Sequence, residues 1–102
     1  MYKMLRQQSE ILNESAVRFA QDLVRVPSPS LNEGAIAPLV EQQMKKLGYD
    51  KVLRDDSGNV IGILFGYDND RTVLLNCHMD TVPLAAPASW CCSPYEGQIK
   101  DG

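Results

Sequence analysis

An α/β fold, with two N-terminal helices packed on one sheet, is predicted by three observations. Residues 9–26 and the stretch from Ser30 to Gly48 carry apolar side chains at three- and four-residue spacing. That is the period of a helix with one apolar face. Three shorter runs follow, at 51–55, 60–65 and 72–77, separated by turn-forming residues. The last contains the unbroken apolar triplet Val73-Leu74-Leu75, the pattern of a strand buried on both faces.

The elements take their bounds from local chemistry. In the first helix Ile11, Leu12, Ala16, Phe19, Ala20 and Leu23 form one stripe, expected to be core, with Ser9 as N-cap. Pro27 and Pro29 end it and make Val26 and Ser28 extended. Ser30-Leu31-Asn32-Glu33 has the form of a capping box ahead of the set Ile36, Leu39, Val40, Met44 and Leu47. Gly48 is placed to leave that helix in a left-handed conformation. Pro38 in a helix interior costs about 3 kcal/mol, so the helix either kinks there or begins its regular part near Ala37. Asp56-Ser57-Gly58-Asn59 and Tyr67-Asp68-Asn69-Asp70 are turns by composition. Residues 83–94 read as a loop, and Gly97–Lys100 as the start of another strand. Trp90 either lines a pocket or anchors that loop on the sheet.

Composition excludes several functions. A chain of 102 residues is one domain at most, and 44% hydrophobic content suffices for a core. The net charge is -3, and the ten Lys and Arg are scattered, so there is no basic footprint for nucleic acid. No run approaches the roughly 18 apolar residues of a membrane span. Met1–Gln8 has no apolar signal core, which makes reduced thiols and a cytoplasmic location the expectation. Three cysteines, an odd number, argue against a closed disulfide framework. Cys77 adjoins His78 and Cys91 adjoins Cys92, the wrong spacing for a structural zinc knuckle. A Cys77–His78 dyad is disfavoured because neighbours on a strand face opposite ways; Cys77 reads as a small buried residue. Asp68 and Asp70 lack the other ligands of a calcium loop and read as a solvated turn.

The segment Asn76-Cys77-His78-Met79-Asp80-Thr81-Val82-Pro83 stands apart. It holds the only histidine of the chain, where the third strand is predicted to end. In extended backbone, residues i and i+2 share a face, so the imidazole of His78 and the carboxylate of Asp80 can meet. A metal-ligating histidine usually gives its second ring N–H to a carboxylate or carbonyl. Ligands of open α/β sheets gather beyond the carboxyl ends of strands.

After this segment come Trp90, Ser93-Pro94-Tyr95-Glu96-Gly97 and Ile99-Lys100-Asp101-Gly102; before it stand Leu23-Val24-Arg25-Val26-Pro27-Ser28, Ser30-Leu31-Asn32-Glu33 and Leu47-Gly48-Tyr49. In order and spacing, about residues 15–102 resemble the N-terminal part of the co-catalytic zinc peptidases and deacylases. That family includes acetylornithine deacetylase, succinyl-diaminopimelate desuccinylase, aminoacylase and glutamate carboxypeptidase. The resemblance implies a zinc-exopeptidase-like sheet in an incomplete catalytic domain spanning residues 1–102. It implies a hydrolase acting on N-acyl amino acids or short peptides with two divalent ions, zinc or cobalt, and it allows a homodimer of the complete enzyme. His78 matches a metal ligand, and Asp80 the catalytic-site aspartate that orients it. The family's bridging aspartate, Glu-Glu pair and further ligands have no counterpart among these residues. The other expectation is therefore a truncated, non-catalytic remnant with no hydrolysis of its own and only weak zinc binding.

Overall fold

The computed structural model of the chain describes residues 1–68, 70–84 and 90–101. Helix α1 spans Tyr2–Val24 and helix α2 Ile36–Lys46; strands β1 (Lys51–Arg54) and β2 (Val60–Ile63) follow. The chain divides into two compact units, Met1–Val26 with Leu84–Gly102, and Pro27–Pro83.

In the first unit α1 starts seven residues earlier than the periodicity predicts. Ser9 is not a cap: it lies inside the helix, where its hydroxyl donates to the Arg6 carbonyl at 2.7 Å. The exposed i,i+4 pair Arg6–Glu10 ties the added turns to the predicted part, and Arg18–Glu14 lies further along; such pairs support a helix by tenths of a kcal/mol. The stripe expected to be core is not one, since no residue of α1 is fully buried. Ile11 and Leu12 are exposed, while Val17, Phe19, Gln21 and Leu23 are half-buried. Gly97 passes close to the helix, with its carbonyl accepting from Gln21 Nε2 at 2.7 Å. Its φ of 64° and a position only 3.3 Å from Gln21 for any added Cβ make glycine fit there. No strand forms over Gly97–Lys100. Trp90 lines a groove along α1, with Val17 and Val24.

The second unit is built on α2 and a hairpin. Pro38 is the third residue of α2, where a missing N–H leaves no helical bond unmade. The helix is thus regular from its start, in line with the second of the two expectations. Its last turn carries Lys45 and Lys46, which suits the negative end of the helix dipole. Gly48 exits at φ 80° as predicted. The capping box does not form, because α2 begins at Ile36 and Ser30 and Glu33 bond elsewhere.

β1 and β2 pair antiparallel, with Arg54 opposite Val60. The intervening turn is tied by the Asp55 carboxylate, which accepts from the N–H groups of Ser57 and Asn59 and from Asn59 Nδ2. These bonds, with the Asn59 side chain contributing most, hold the Asp55 carboxyl below its ordinary value. Gly62 lies under Tyr49 and Met44; a Cβ there would sit 2.6 Å from the Tyr49 ring. Ile36 and Ala37 are the buried apolar residues among those described.

The third predicted strand is absent. Residues 71–80 belong to no ladder, and Val73, Leu74 and Leu75 are 84%, 85% and 91% exposed. A strand buried on both faces needs partners on both edges, and none of the described residues supplies one. Cys77, expected to be buried, is exposed for the same reason. Of the loop predicted over 83–94, residues 85–89 lie outside the described residues, as does Asn69 of the Tyr67–Asp70 turn. In that turn Asp68 Oδ1 accepts the Asp70 N–H at 3.0 Å, a local solvated contact.

Candidate metal-ligand site at His78

The site forms where the stretch after α1 meets the stretch after the exposed apolar run. Pro29 and Thr81 make an isolated parallel bridge, closed by the Thr81 N–H donating to the Ser28 carbonyl at 2.8 Å. Ser28 is fully buried, and its hydroxyl donates to the Met79 carbonyl at 3.0 Å. A buried hydroxyl left unbonded costs about 1–3 kcal/mol, so this contact both satisfies Ser28 and fixes the backbone flanking Asp80.

Asp80 is then held from two sides. Ser30 Oγ donates to its Oδ2 at 2.5 Å. The ring nitrogen Nδ1 of His78 lies 3.1 Å from its Oδ1 and 2.8 Å from its main-chain oxygen. Both partners of Nδ1 are acceptors, so the ring proton sits on Nδ1 and the lone pair of the neutral imidazole is on Nε2. The Ser30 bond is the main reason the Asp80 carboxyl lies below its ordinary value, with His78 adding to it. His78 is 84% exposed and Asp80 34%: the brace is sheltered and the ring it braces faces outward.

The i,i+2 spacing anticipates the meeting of His78 and Asp80, although the backbone there is not in a strand. Ser28 and Ser30 were missed, since their partners lie 51 and 50 residues away. The one local hint was Pro27 and Pro29, which force Ser28 to be extended. Leu31, next to Ser30, has φ 68°, a left-handed conformation that costs a leucine roughly 1 kcal/mol or more. The bend it makes is stapled by the Asn32 N–H to the Pro29 carbonyl and by Glu33 Oε1 accepting the Leu31 N–H. Strain of this kind is tolerated where surrounding contacts dictate it, here around the serine that grips Asp80.

Among the described residues no group of three His, Cys, Asp or Glu side chains gathers closely enough to hold a metal ion. The geometry thus offers one nitrogen donor with its orienting carboxylate, against the three or four protein donors zinc usually takes.

Over 100 residues, 98% of its length, the chain is 33% identical to the uncharacterized protein YgeY of Escherichia coli (strain K12), matching 24% of that protein. Over 88 residues, 84% of the chain, it is 34% identical to a succinyl-diaminopimelate desuccinylase of Cereibacter sphaeroides, matching 23% of it. The chain is similar to one quarter of a desuccinylase. A succinyl-diaminopimelate desuccinylase 2 of Ruegeria sp. is 30% identical over 88 residues, of which the match covers 22%. The chain thus spans about a quarter of the length of the curated relatives it matches. No family model matches it, and no solved structure does. Among the described residues no helix is long and apolar enough to cross a membrane.

Proposed function

We propose that this chain is the N-terminal part of the catalytic domain of a divalent-metal-dependent amide hydrolase acting on N-acyl amino acids or short peptides. One observation carries the reading: the Nδ1 proton of His78 is committed to Asp80, which directs the lone pair of Nε2 outward. That is how a protein prepares a histidine to ligate a metal. The similarity to proteins named desuccinylases supports the same class, since removal of a succinyl group from an amine is amide hydrolysis.

The residues fit one ligand of such a centre and no more. His78 would hold one ion through Nε2. Asp80 would fix the ring's tautomer and raise its basicity, and Ser30 and Ser28 would hold Asp80 and its backbone in place. Two divalent ions, zinc or cobalt, supply Lewis acidity and a water that ionises near neutral pH. The remaining donors belong, on this reading, to parts of the whole protein outside these 102 residues. The isolated chain is accordingly expected to bind zinc no tighter than about micromolar, roughly -8 kcal/mol, and to hydrolyse nothing.

The test uses the full-length protein that carries this chain. It should cleave N-succinyl or N-acetyl amino acids, lose that activity on dialysis against a chelator, and regain it with zinc or cobalt. His78→Ala should cost more than the roughly 100-fold that loss of an outer partner costs. Undiminished turnover in the chelated protein, or in folded His78→Ala, would overturn the proposal.

A further inference from the structure

In the first unit, Cys91 and Cys92 place their sulfurs 4.0 Å apart. Cys91 is exposed and Cys92 half-buried. Cys92 also lines an open groove of about 340 Å³ whose apolar walls include Val17, Val24, Trp90, Pro94 and Ile99. A cleft of that size is at the small end for organic ligands, about 300–1,000 Å³, and suits a single ring.

We propose that Cys91 and Cys92 form a vicinal dithiol site that captures a trivalent organoarsenical, with the organic arm lying in the groove beside Trp90.

Three alternatives fit less well. A disulfide between the two would have to bring the sulfurs to about 2.05 Å across α-carbons held about 3.8 Å apart by one peptide bond. Ordinary disulfides span about 4.4–6.8 Å between α-carbons, so the closed form is strained and readily reduced. A zinc ion wants four donors, and among the described residues no third His, Cys, Asp or Glu joins the pair. A single thiol adduct would leave the second sulfur unused. Trivalent arsenic with one organic substituent has two valences left, and two sulfurs at this spacing match them with little backbone movement.

The reaction is a condensation. An arsenoso compound, R–As=O, forms two As–S bonds and loses its oxygen, and both thiol protons leave in one water molecule. Arsenic stays trivalent and no electrons are transferred. The thiolate is the attacking form; the hydrogen bond shared with Cys91 holds the Cys92 thiol above its ordinary value, so the more exposed Cys91 attacks first and Cys92 closes the ring.

The probe is phenylarsine oxide added to the fully reduced chain. Thiol titration should fall from three groups to one, with Cys77 remaining. The emission of Trp90, the only tryptophan, should change with the same stoichiometry. Cys91→Ser and Cys92→Ser should each weaken binding by about 100-fold or more, because the second bond is intramolecular, whereas Cys77→Ser should not. Inorganic arsenite, which has no organic arm, should bind at least about tenfold more weakly than phenylarsine oxide, the worth of about 1.4 kcal/mol. Loss of one thiol or none, equal binding by either serine variant, an unchanged Trp90 emission, or equal affinity for arsenite would each overturn the proposal.

Discussion

Two apolar β-forming runs in the same unit meet opposite fates. Val60–Ile63 pairs with Lys51–Arg54 and packs its Gly62 under Tyr49 and Met44. Val73–Leu75 is wholly apolar, yet it joins no ladder and is almost wholly exposed. Apolarity alone does not make the difference. The hairpin closes on itself through a five-residue turn tied by Asp55, so its partner strand is local. Among the described residues the second run has no local partner. Strand preference expresses itself only where an edge and a packing face are available, and among the described residues they are supplied once. The site inherits the contrast. His78 follows the unpaired run, and what fixes it is the 28–31 bend, not a sheet.

The two regions should therefore separate under mutation. The largest effect is expected at the site, in the full-length protein. Asp80→Asn should lower metal affinity or activity by about 10- to 100-fold, the usual toll of losing an orienting partner, while leaving the thermal midpoint of the chain nearly unchanged. Metal-loaded Asp80→Asn protein with wild-type turnover would show that the brace does nothing for the ring.

Gly62→Ala tests the other side. The added Cβ meets the Tyr49 ring at 2.6 Å and Met44 Sδ at 2.7 Å. The methionine can swing away, but the ring must shift with the backbone that carries it. Overpacking of this sort costs about 1–3 kcal/mol, readable as a lower midpoint in urea with an unchanged slope. If the hairpin tolerates the methyl at no cost, the packing contrast between the two runs is weaker than the 2.6 Å approach implies.

Ser30→Ala probes the joint that serves the site. Ser30 is the largest cause of the lowered Asp80 pKa, so its removal should move that pKa upward, as followed by carboxyl-carbon NMR. The direction also sets the acid response. A carboxyl whose folded pKa is lowered favours the fold above its ordinary value, and that advantage is lost as pH falls through the lowered folded value. The Ser30–Asp80 contact should thus be weakened only in acid below the ordinary carboxylate range, while the uncharged Ser28–Met79 and Thr81–Ser28 bonds persist, and Asp80 should titrate at a higher pH in Ser30→Ala. An unmoved Asp80 titration would mean that the serine contact is not made in solution.

What could be read in the sequence divides along the same line. The second helix, its tolerance of Pro38, the left-handed exit at Gly48 and the Asp55–Asn59 turn are all local, and each has a residue-level cause visible in the chain. The His78–Asp80 meeting is also local, two residues apart. Ser30 shows why the rest was hidden: its spacing to Glu33 is that of a helix cap, and a contact 50 residues away takes the hydroxyl instead. The early start of α1 is masked by the polar run Arg6–Glu10, which separates Met4 and Leu5 from the apolar stripe, and periodicity shows a face without showing what covers it. Val73–Leu75 is the same lesson in a strand.

The smallest expected effect is also the one that best separates the two accounts of that run. Val73→Thr keeps the β-branched shape and adds a hydroxyl. In the 102-residue chain, where Val73 is 84% exposed, the change should alter stability by no more than about 0.5 kcal/mol. In the full-length protein, where the proposed catalytic domain would bury the run between partner strands, the same hydroxyl should cost about 1–3 kcal/mol. The amides of residues 73–75 should meanwhile pass from rapid exchange in the chain to protection in the whole protein. Equal, small effects in both settings would mean that the run stays unpaired everywhere, and that His78 does not sit at the end of a buried strand even in the complete molecule.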